Sequence, residues 1–291
     1  MFQHLLICTD LTDGLQRLAD FVPSLAVSGI KRVHFLHVLP LGEREIPRID
    51  EEQAQRVRER LSKRLTQTDG VEVKIDIQMG RPSERIHSTI KATHPDLVLL
   101  GTPTRSLLTE KLFGNTAMEL CRSGQIPVLI LRPQLLSTYT EEELELRCRH
   151  LFRYFLIPYN GSPASEALLQ MVKQQAQNRD PDSLQECLLL WVIEDDGRRG
   201  EIFREEHTKE AKTKLAAAAA ELKPLGLKVN TDIVYGDAIT ETLLAAQEHD
   251  ISAIAIASKT LGRLAELSTP SFAGDLLRRS WHPVLYFPTS K

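Results

Sequence analysis

Two segments in the first half of the chain have residue types that could hold a phosphate group. Gly101 is followed by Thr102-Pro103-Thr104, and after nine further residues Gly114 comes directly before Asn115 and Thr116, at the predicted start of a helix. Glycine lets the backbone approach an anion closely, and the first amides of a helix lack partners within the helix. The spacing is thus compatible with an anion site, although Asn and Thr are also ordinary helix caps.

These segments must be positioned by the strands that precede them. Short apolar runs alternate with helical patterns along the chain, which predicts parallel strands joined by helices. Ligands of such sheets bind beyond the carboxyl ends of the strands. We therefore expect functional residues after Cys8, Leu39 and Leu100 and after their counterparts in the second half of the chain.

The same order of signals occurs twice, which indicates a duplication. Gly80 and Gly236 are 156 positions apart, and so are Pro127 and Pro283. Duplicated units of this length each suffice for one small core. We predict two domains and a polar, Glu-rich linker between them: residues 1–135, 136–150 as the linker, and 151–291.

Each copy is predicted to form a doubly wound, parallel, five-stranded α/β sheet. The predicted strands of the first copy are Leu5–Cys8, Val33–Leu39, Val71–Gly80, Leu97–Leu100 and Val128–Leu131, with helices at Glu51–Thr68 and Ser83–Ala92. Those of the second are Phe155–Pro158, Cys187–Ile193, Val229–Gly236, Ala253–Ile256 and Val284–Phe287, with helices at Glu206–Leu222 and Ala238–Glu248.

The composition disfavours several classes of function. Among 291 residues, 42% are hydrophobic and the net charge is −3, so there is no strong positive field for nucleic acid or an acidic membrane. No apolar run approaches the ~20 residues that cross a bilayer. The four cysteines form no Cys-x-x-Cys pair, which argues against a zinc or redox site. His34 and His37 should point to opposite faces of one strand and cannot chelate a metal together. We expect a cytoplasmic protein.

The first copy resembles the universal stress protein family, whose ATP-binding members have Gly, two residues, Gly, nine residues, Gly and then Ser or Thr. Gly101 and Gly114 match the first and third glycines, while Thr104 and Asn115 replace the second glycine and the hydroxyl residue. Asp10 matches an Asp that contacts adenosine in the family, and His37-Val38 matches the end of its second strand.

This resemblance implies an adenine nucleotide, such as ATP, in the first copy, with Mg²⁺ balancing the phosphate charge. Asp10 and Val38 would position adenosine, and the complete expected set is Asp10, Val38, Leu100, Gly101, Thr104, Gly114, Asn115 and Thr116. The resemblance also implies an adenine nucleotide alpha hydrolase-like fold whose two copies pair through their last strands as a pseudo-dimer, with further dimerisation as an option.

The second copy matches the family at its start, Ile157–Ala167, with Asn160 in place of the Asp. Its phosphate loop departs: Ala257, Thr260 and Pro270 stand at the glycine positions, and Ser271 alone fits. Pro270 lacks a backbone amide donor where an oxyanion would need one, so we expect this copy to be structural or to bind something else.

Three functions remain open. The first is a stress-response protein in which nucleotide binding regulates an unidentified protein partner. The second is a nucleotide-independent scaffold, which the substitutions at Thr104 and Asn115 favour. The third is slow ATP hydrolysis, which needs a positioned water and a base that the sequence does not identify.

Overall fold

The computed structural model describes residues 1–39, 51–65, 69–102, 115–194, 198–258 and 271–289. The chain divides into two compact units, Phe2–Arg149 and His150–Lys291. Thr104, Gly114 and Thr260 of the predicted sites lie outside the described residues, as does Pro270.

The first unit contains a five-stranded sheet whose strands pair in the order β3-β2-β1-β4-β5, with every described pair parallel. Its elements are β1 His4–Cys8, a 3₁₀ helix Leu15–Phe21, α1 Val22–Val27, β2 Arg32–Leu39, α2 Glu51–Ser62, β3 Glu72–Met79, α3 Pro82–Thr93, β4 Leu97–Gly101, α4 Asn115–Ser123, β5 Val128–Leu131, α5 Pro133–Thr138 and α6 Glu141–Arg149.

The second unit repeats this order as β8-β7-β6-β9-β10, again with parallel pairs. Its elements are β6 Tyr154–Pro158, α7 Pro163–Gln177, β7 Glu186–Ile193, α8 Arg198–Leu222, a 3₁₀ helix Lys223–Leu225, β8 Lys228–Tyr235, α9 Ala238–Glu248, β9 Ala253–Ser258, α10 Phe272–Arg279 and β10 Val284–Pro288. The predicted fold class is confirmed.

The strand sequences explain this strand order. All residues of β1 and β5 are buried, as expected for apolar runs covered by helices on both faces. The strands β3 and β8, at one end of each order, contain several polar residues and keep exposed positions. Polar side chains protect such strand edges from pairing with another chain.

The repeated glycines occupy equivalent turns. Gly80 and Gly236 follow β3 and β8 with φ of 145° and 148°, a backbone conformation that favours glycine. A Cβ atom at Gly80 would lie 2.6 Å from Arg85 Nε, and one at Gly236 would lie 2.7 Å from Glu241 Oε1. The 156-residue offset therefore relates two copies of one structural turn.

Most strand bounds agree with the sequence predictions to within one or two residues, and the longest helix differs most. Helix α8 begins at Arg198 rather than Glu206. Helix α2 ends at Ser62, short of the predicted Thr68, which lies outside the described residues.

The region between the copies is helical, with α5 and α6 packed on the first unit. The Arg17 guanidinium donates hydrogen bonds to the carbonyl oxygens of Leu136 and of Tyr139, the latter at 3.0 Å. Leu144 and Cys148 of α6 are buried. Burial and hydrogen bonding thus tie the segment that follows β5 to the first unit.

Candidate functional site

A cavity of about 360 Å³ lies at the carboxyl ends of β6, β7 and β9 in the second copy. The strands contribute Pro158, Leu190, Val192, Ile256 and Ala257 to its walls. The first turns of α7, α9 and α10 complete the lining, so the cavity occupies the edge where ligands of parallel sheets bind.

Three of the four predicted second-copy residues line this cavity: Asn160, Ala257 and Ser271. Val192, which was not among the predicted residues, also lines the cavity. It is the seventh residue of the eight-residue strand β7, and Val38 is the seventh residue of the eight-residue strand β2. Val192 is therefore the positional counterpart of Val38 in the second copy. That equivalence was available from the repeat.

The turn after β6 is held by the Asn160 side chain. Its Oδ1 accepts hydrogen bonds from the Ser162 amide at 3.1 Å and the Ser165 hydroxyl at 3.2 Å. None of its described hydrogen bonds uses the amide nitrogen, and Asn160 is exposed. Its NH₂ group is therefore a donor that can face a ligand in the cavity.

Most hydroxyl groups of the lining already have partners in the protein. Ser165 Oγ shares its single proton between Asn160 Oδ1 and the Ser162 carbonyl oxygen, which lies 3.0 Å away. Ser162 Oγ accepts from the Ser165 amide at 3.3 Å. Thr242 Oγ1 donates to the Ala238 carbonyl oxygen at 2.7 Å. These groups shape the cavity and leave few free donors for a ligand.

Ser271 is the N-cap of α10. Its Oγ accepts a hydrogen bond from the Gly274 amide at 3.2 Å, which satisfies one of the amides without an intrahelical partner. Asp275 lies in the first turn of the helix and pairs with Arg278. The start of α10 thus already carries a cap and a negative charge.

Tyr159 is fixed on one side of the cavity. Its hydroxyl donates to the Glu166 carboxylate, and its ring makes an edge contact with Trp191 at 6.0 Å between centroids. Burial, followed by the hydrogen bond to Glu166, raises the pKa of Tyr159. Tyr159 therefore stays a neutral phenol, and its proton is used within the protein.

In the first copy, the Asp10 carboxylate closes a local turn. Its Oδ1 accepts from the Thr12 amide at 2.7 Å and from the Thr12 hydroxyl at 2.8 Å. The side chain is exposed, so its other oxygen can still accept a hydrogen bond from a ligand. Both the turn-forming role and the predicted adenosine contact are compatible with this geometry.

The side-chain space at Gly101 is occupied by neighbouring residues of the first unit. A Cβ atom at Gly101 would lie 3.1 Å from Asp13 Cβ, 3.4 Å from Asp13 Oδ2 and 3.4 Å from Pro133 Cγ. Because Gly101 has no side chain, the Asp13 carboxylate and helix α5 can pack closely against its backbone. The sequence pattern alone suggested a phosphate at this position.

Asp13 is a buried carboxylate in the first copy, and sequence reasoning missed it. Its oxygens accept from the Thr9 hydroxyl at 2.7 Å, the Leu15 amide at 3.0 Å and the Asp10 amide at 3.3 Å. Burial raises the pKa of Asp13 to about 6, against the opposing effect of the Thr9 hydrogen bond. An ionised Asp13 would repel a phosphate placed at Gly101.

The other predicted first-copy residues are only partly described. Val38 is half-buried near the end of β2, and Leu100 is buried in β4. Asn115 begins helix α4, and Thr116 beside it is half-buried. Because Thr104 and Gly114 lie outside the described residues, the arrangement of this set as a phosphate loop stays a prediction.

The histidines of β2 contact neighbouring strands and loops. His37 Nδ1 lies 2.8 Å from the Thr9 carbonyl oxygen, and His34 Nε2 lies 3.7 Å from an Asp76 oxygen. Within the described ranges, no group of three or more His, Cys, Asp or Glu residues could hold a metal ion. Likewise, none of the described helices is long and apolar enough to cross a membrane.

Comparison with known proteins agrees with the fold. The model of the universal stress protein family matches residues 1–132 and 152–288. The chain belongs to this family and carries two tandem domains of it. No curated protein matches the chain significantly.

Solved structures of similar length share this two-domain fold. A universal stress protein from Archaeoglobus fulgidus DSM 4304 is 17% identical, with 98% of each chain covered and a TM-score of 0.63. A functionally unknown protein from Pseudomonas aeruginosa PAO1 is 14% identical, with 98% of this chain and 92% of that chain covered and a TM-score of 0.59. A shorter structure, of a universal stress protein in complex with cAMP, matches over 48% of this chain and 99% of its own at 19% identity; its TM-score is 0.39, and the two-domain fold does not rest on it.

Proposed function

We propose that this universal stress protein is a ligand-binding protein that holds an adenine-containing small molecule, and that the second copy provides the site. The observation that carries the proposal is the cavity itself. It lies at the strand ends where parallel sheets bind ligands and is lined by Asn160, Val192 and Ala257. Its volume falls near the lower end of the roughly 300–1,000 Å³ that is typical of small-molecule sites.

Contacts in the first copy favour the second as the site. Asp13 and Pro133 fill the space beside Gly101, whereas the equivalent Ala257 lines the cavity. The predicted first-copy nucleotide site, with Asp10 at the adenosine and Mg²⁺ at the phosphates, remains a second candidate, supported by the spacing of Gly101 and Gly114.

Binding rather than catalysis fits the described lining. A nucleophilic hydroxyl needs a neighbouring base within hydrogen-bond reach. The hydroxyls of Ser165 and Thr242 instead donate to an amide oxygen and to backbone carbonyl oxygens. The Tyr159 hydroxyl does donate to the Glu166 carboxylate, but its raised pKa keeps it a neutral phenol. We further propose that ligand occupancy changes contacts with a protein partner in the cytoplasm during a stress response.

A matched pair of substitutions tests which copy binds. Val192→Trp should fill the second-copy cavity, and Val38→Trp makes the same change at the equivalent position of the first copy. Calorimetric titration of nucleotide-stripped protein with adenosine, AMP, ADP, ATP and cAMP, with and without Mg²⁺, gives affinity and stoichiometry. Melting temperatures of both variants check that each still folds.

The outcomes separate the candidate functions. Loss of binding in Val192→Trp alone supports the second-copy site, and loss in Val38→Trp alone supports the first. If both folded variants bind as the wild type does, the assigned site is wrong. If the wild-type protein binds none of these compounds, the nucleotide-independent scaffold becomes the better account.

A further inference from the structure

We infer that the second-copy cavity selects an uncharged nucleoside over its phosphorylated forms. This rests on the proposed function, because it specifies the chemical class of the ligand at the same site. The inference depends on the charge of the lining, the free hydrogen-bonding groups and an exposed aromatic ring.

The charge of the lining opposes a phosphate. Glu194 lies at the end of β7 and lines the cavity, and among the described lining residues there is no Lys or Arg. The Lys214 ammonium, which lies beside Gly161 in the turn after β6, is already paired with Glu210 at 2.7 Å. A nucleoside phosphate carries negative charge that would face the Glu194 carboxylate. An uncharged sugar can instead donate its hydroxyl protons to this carboxylate.

The donors that a phosphate requires are largely committed. Among the described lining residues, the hydroxyl protons of Ser162, Ser165 and Thr242 are directed to oxygen atoms of the protein. Ser271 Oγ caps α10 by accepting from the Gly274 amide. The Asn160 NH₂ group and the Ser271 hydroxyl proton remain as donors, since a hydroxyl oxygen that accepts a hydrogen bond keeps its own proton. Neutral donors of this kind suit a ring nitrogen or a sugar hydroxyl better than a dianion.

An apolar surface is available for a planar ring. Phe272 lines the cavity, and 37% of its surface is exposed. Leu168 and Ile256, which also line the cavity, are buried. Any nucleobase can stack on an aromatic side chain, because every base has a flat π face. Apolar walls, two neutral donors and one carboxylate together match the base and the ribose of a nucleoside.

The test is the ratio of the AMP and adenosine dissociation constants for the full chain, measured by calorimetry. We expect adenosine to bind at least about tenfold more tightly, which corresponds to about 1.4 kcal/mol. Glu194→Gln should reduce this ratio at least severalfold. Glu186→Gln makes the same change at the amino end of β7, where Glu186 pairs with Lys228, and should leave the ratio unchanged. Phe272→Ala should weaken adenosine binding by roughly fivefold or more, as expected for a lost stacking contact.

The results distinguish this inference from the proposed function. AMP or ATP binding as tightly as adenosine at a site that Val192→Trp abolishes would overturn the inference and leave the second-copy site standing. An unchanged ratio in Glu194→Gln would show that the carboxylate does not select against phosphate, which also overturns it. Absence of binding by every adenine compound would overturn both.

Discussion

Asp13 should make the stability of the first copy depend on pH. Its pKa rises from the ordinary 3.8 to about 6 in the folded protein, chiefly through burial. The folded state therefore holds the proton more tightly than the unfolded state, and the free energy of unfolding falls as the pH rises through this window. At 1.36 kcal/mol for each pKa unit, the fall between pH 4 and pH 7 is about 2 to 3 kcal/mol.

The measurement compares the wild type with Asp13→Asn. Urea unfolding followed by circular dichroism, at steps between pH 4 and pH 7, gives the free energy of unfolding of each protein. The free energy of unfolding of the wild type minus that of Asp13→Asn should fall by about 2 to 3 kcal/mol as the pH rises from 4 to 7. Asp10→Asn should move this fall to lower pH, because the neighbouring Asp10 charge contributes to the raised pKa of Asp13.

The second copy supplies an internal control. Both tryptophans of the chain, Trp191 and Trp281, lie in the second unit, so tryptophan fluorescence reports on that unit. A difference that stays constant from pH 4 to pH 7 would refute the assigned pKa. The free energy of unfolding can also be followed by tryptophan fluorescence. If it shows the same fall in the wild type, and Asp13→Asn removes that fall, the effect is not confined to the first unit.

Other predictions concern packing, capping and thiol chemistry. Gly101→Ala should lower the free energy of unfolding by about 1–2 kcal/mol in urea titrations, because its Cβ would lie 3.1 Å from Asp13 Cβ. Ser271→Ala should cost about 1 kcal/mol in the same assay, since the Gly274 amide loses its acceptor, while Ser271→Asp should retain the cap. Burial raises the pKa of all four cysteine thiols, which are Cys8, Cys121, Cys148 and Cys187. Ellman's reagent should therefore react with the folded protein far more slowly than with the protein in denaturant.

Each of these predictions has a result that contradicts it. Unchanged stability of Gly101→Ala would mean that Asp13 and Pro133 yield to a methyl group without cost. Equal stability of Ser271→Ala and Ser271→Asp would remove the assigned cap. Rapid reaction of a thiol in the folded protein would show that its strand or helix opens to solvent.

The fold could be predicted from the sequence because the hydrophobic pattern is strong and occurs twice. Continuous apolar runs such as Val128–Leu131 have few ways to be buried except in a covered parallel sheet. The 156-residue offset of Gly80 and Gly236 identified the duplication without coordinates. Helix ends were less predictable: Arg198 begins α8 although the segment up to Glu206 is polar and weakly patterned.

The candidate site was only partly predictable. The sequence supplied Asn160, Ala257 and Ser271 by alignment of the two copies, but their departures from the family pattern favoured the first copy as the binding site. Glu194 and Phe272 carried no motif, because their relevance arises from neighbours that are distant in the chain.

The sequence by itself determined the duplication, the order of strands and helices, and the edge of each sheet where a ligand would bind, because these follow from local periodicity and from the direction of parallel strands. Only the tertiary structure decided how the space at that edge is used. Helix α5 and the Asp13 carboxylate occupy the side-chain space of Gly101, whereas Ala257 lines a cavity. Packing between segments far apart in the chain fixes which space is filled, and residue spacing does not encode it.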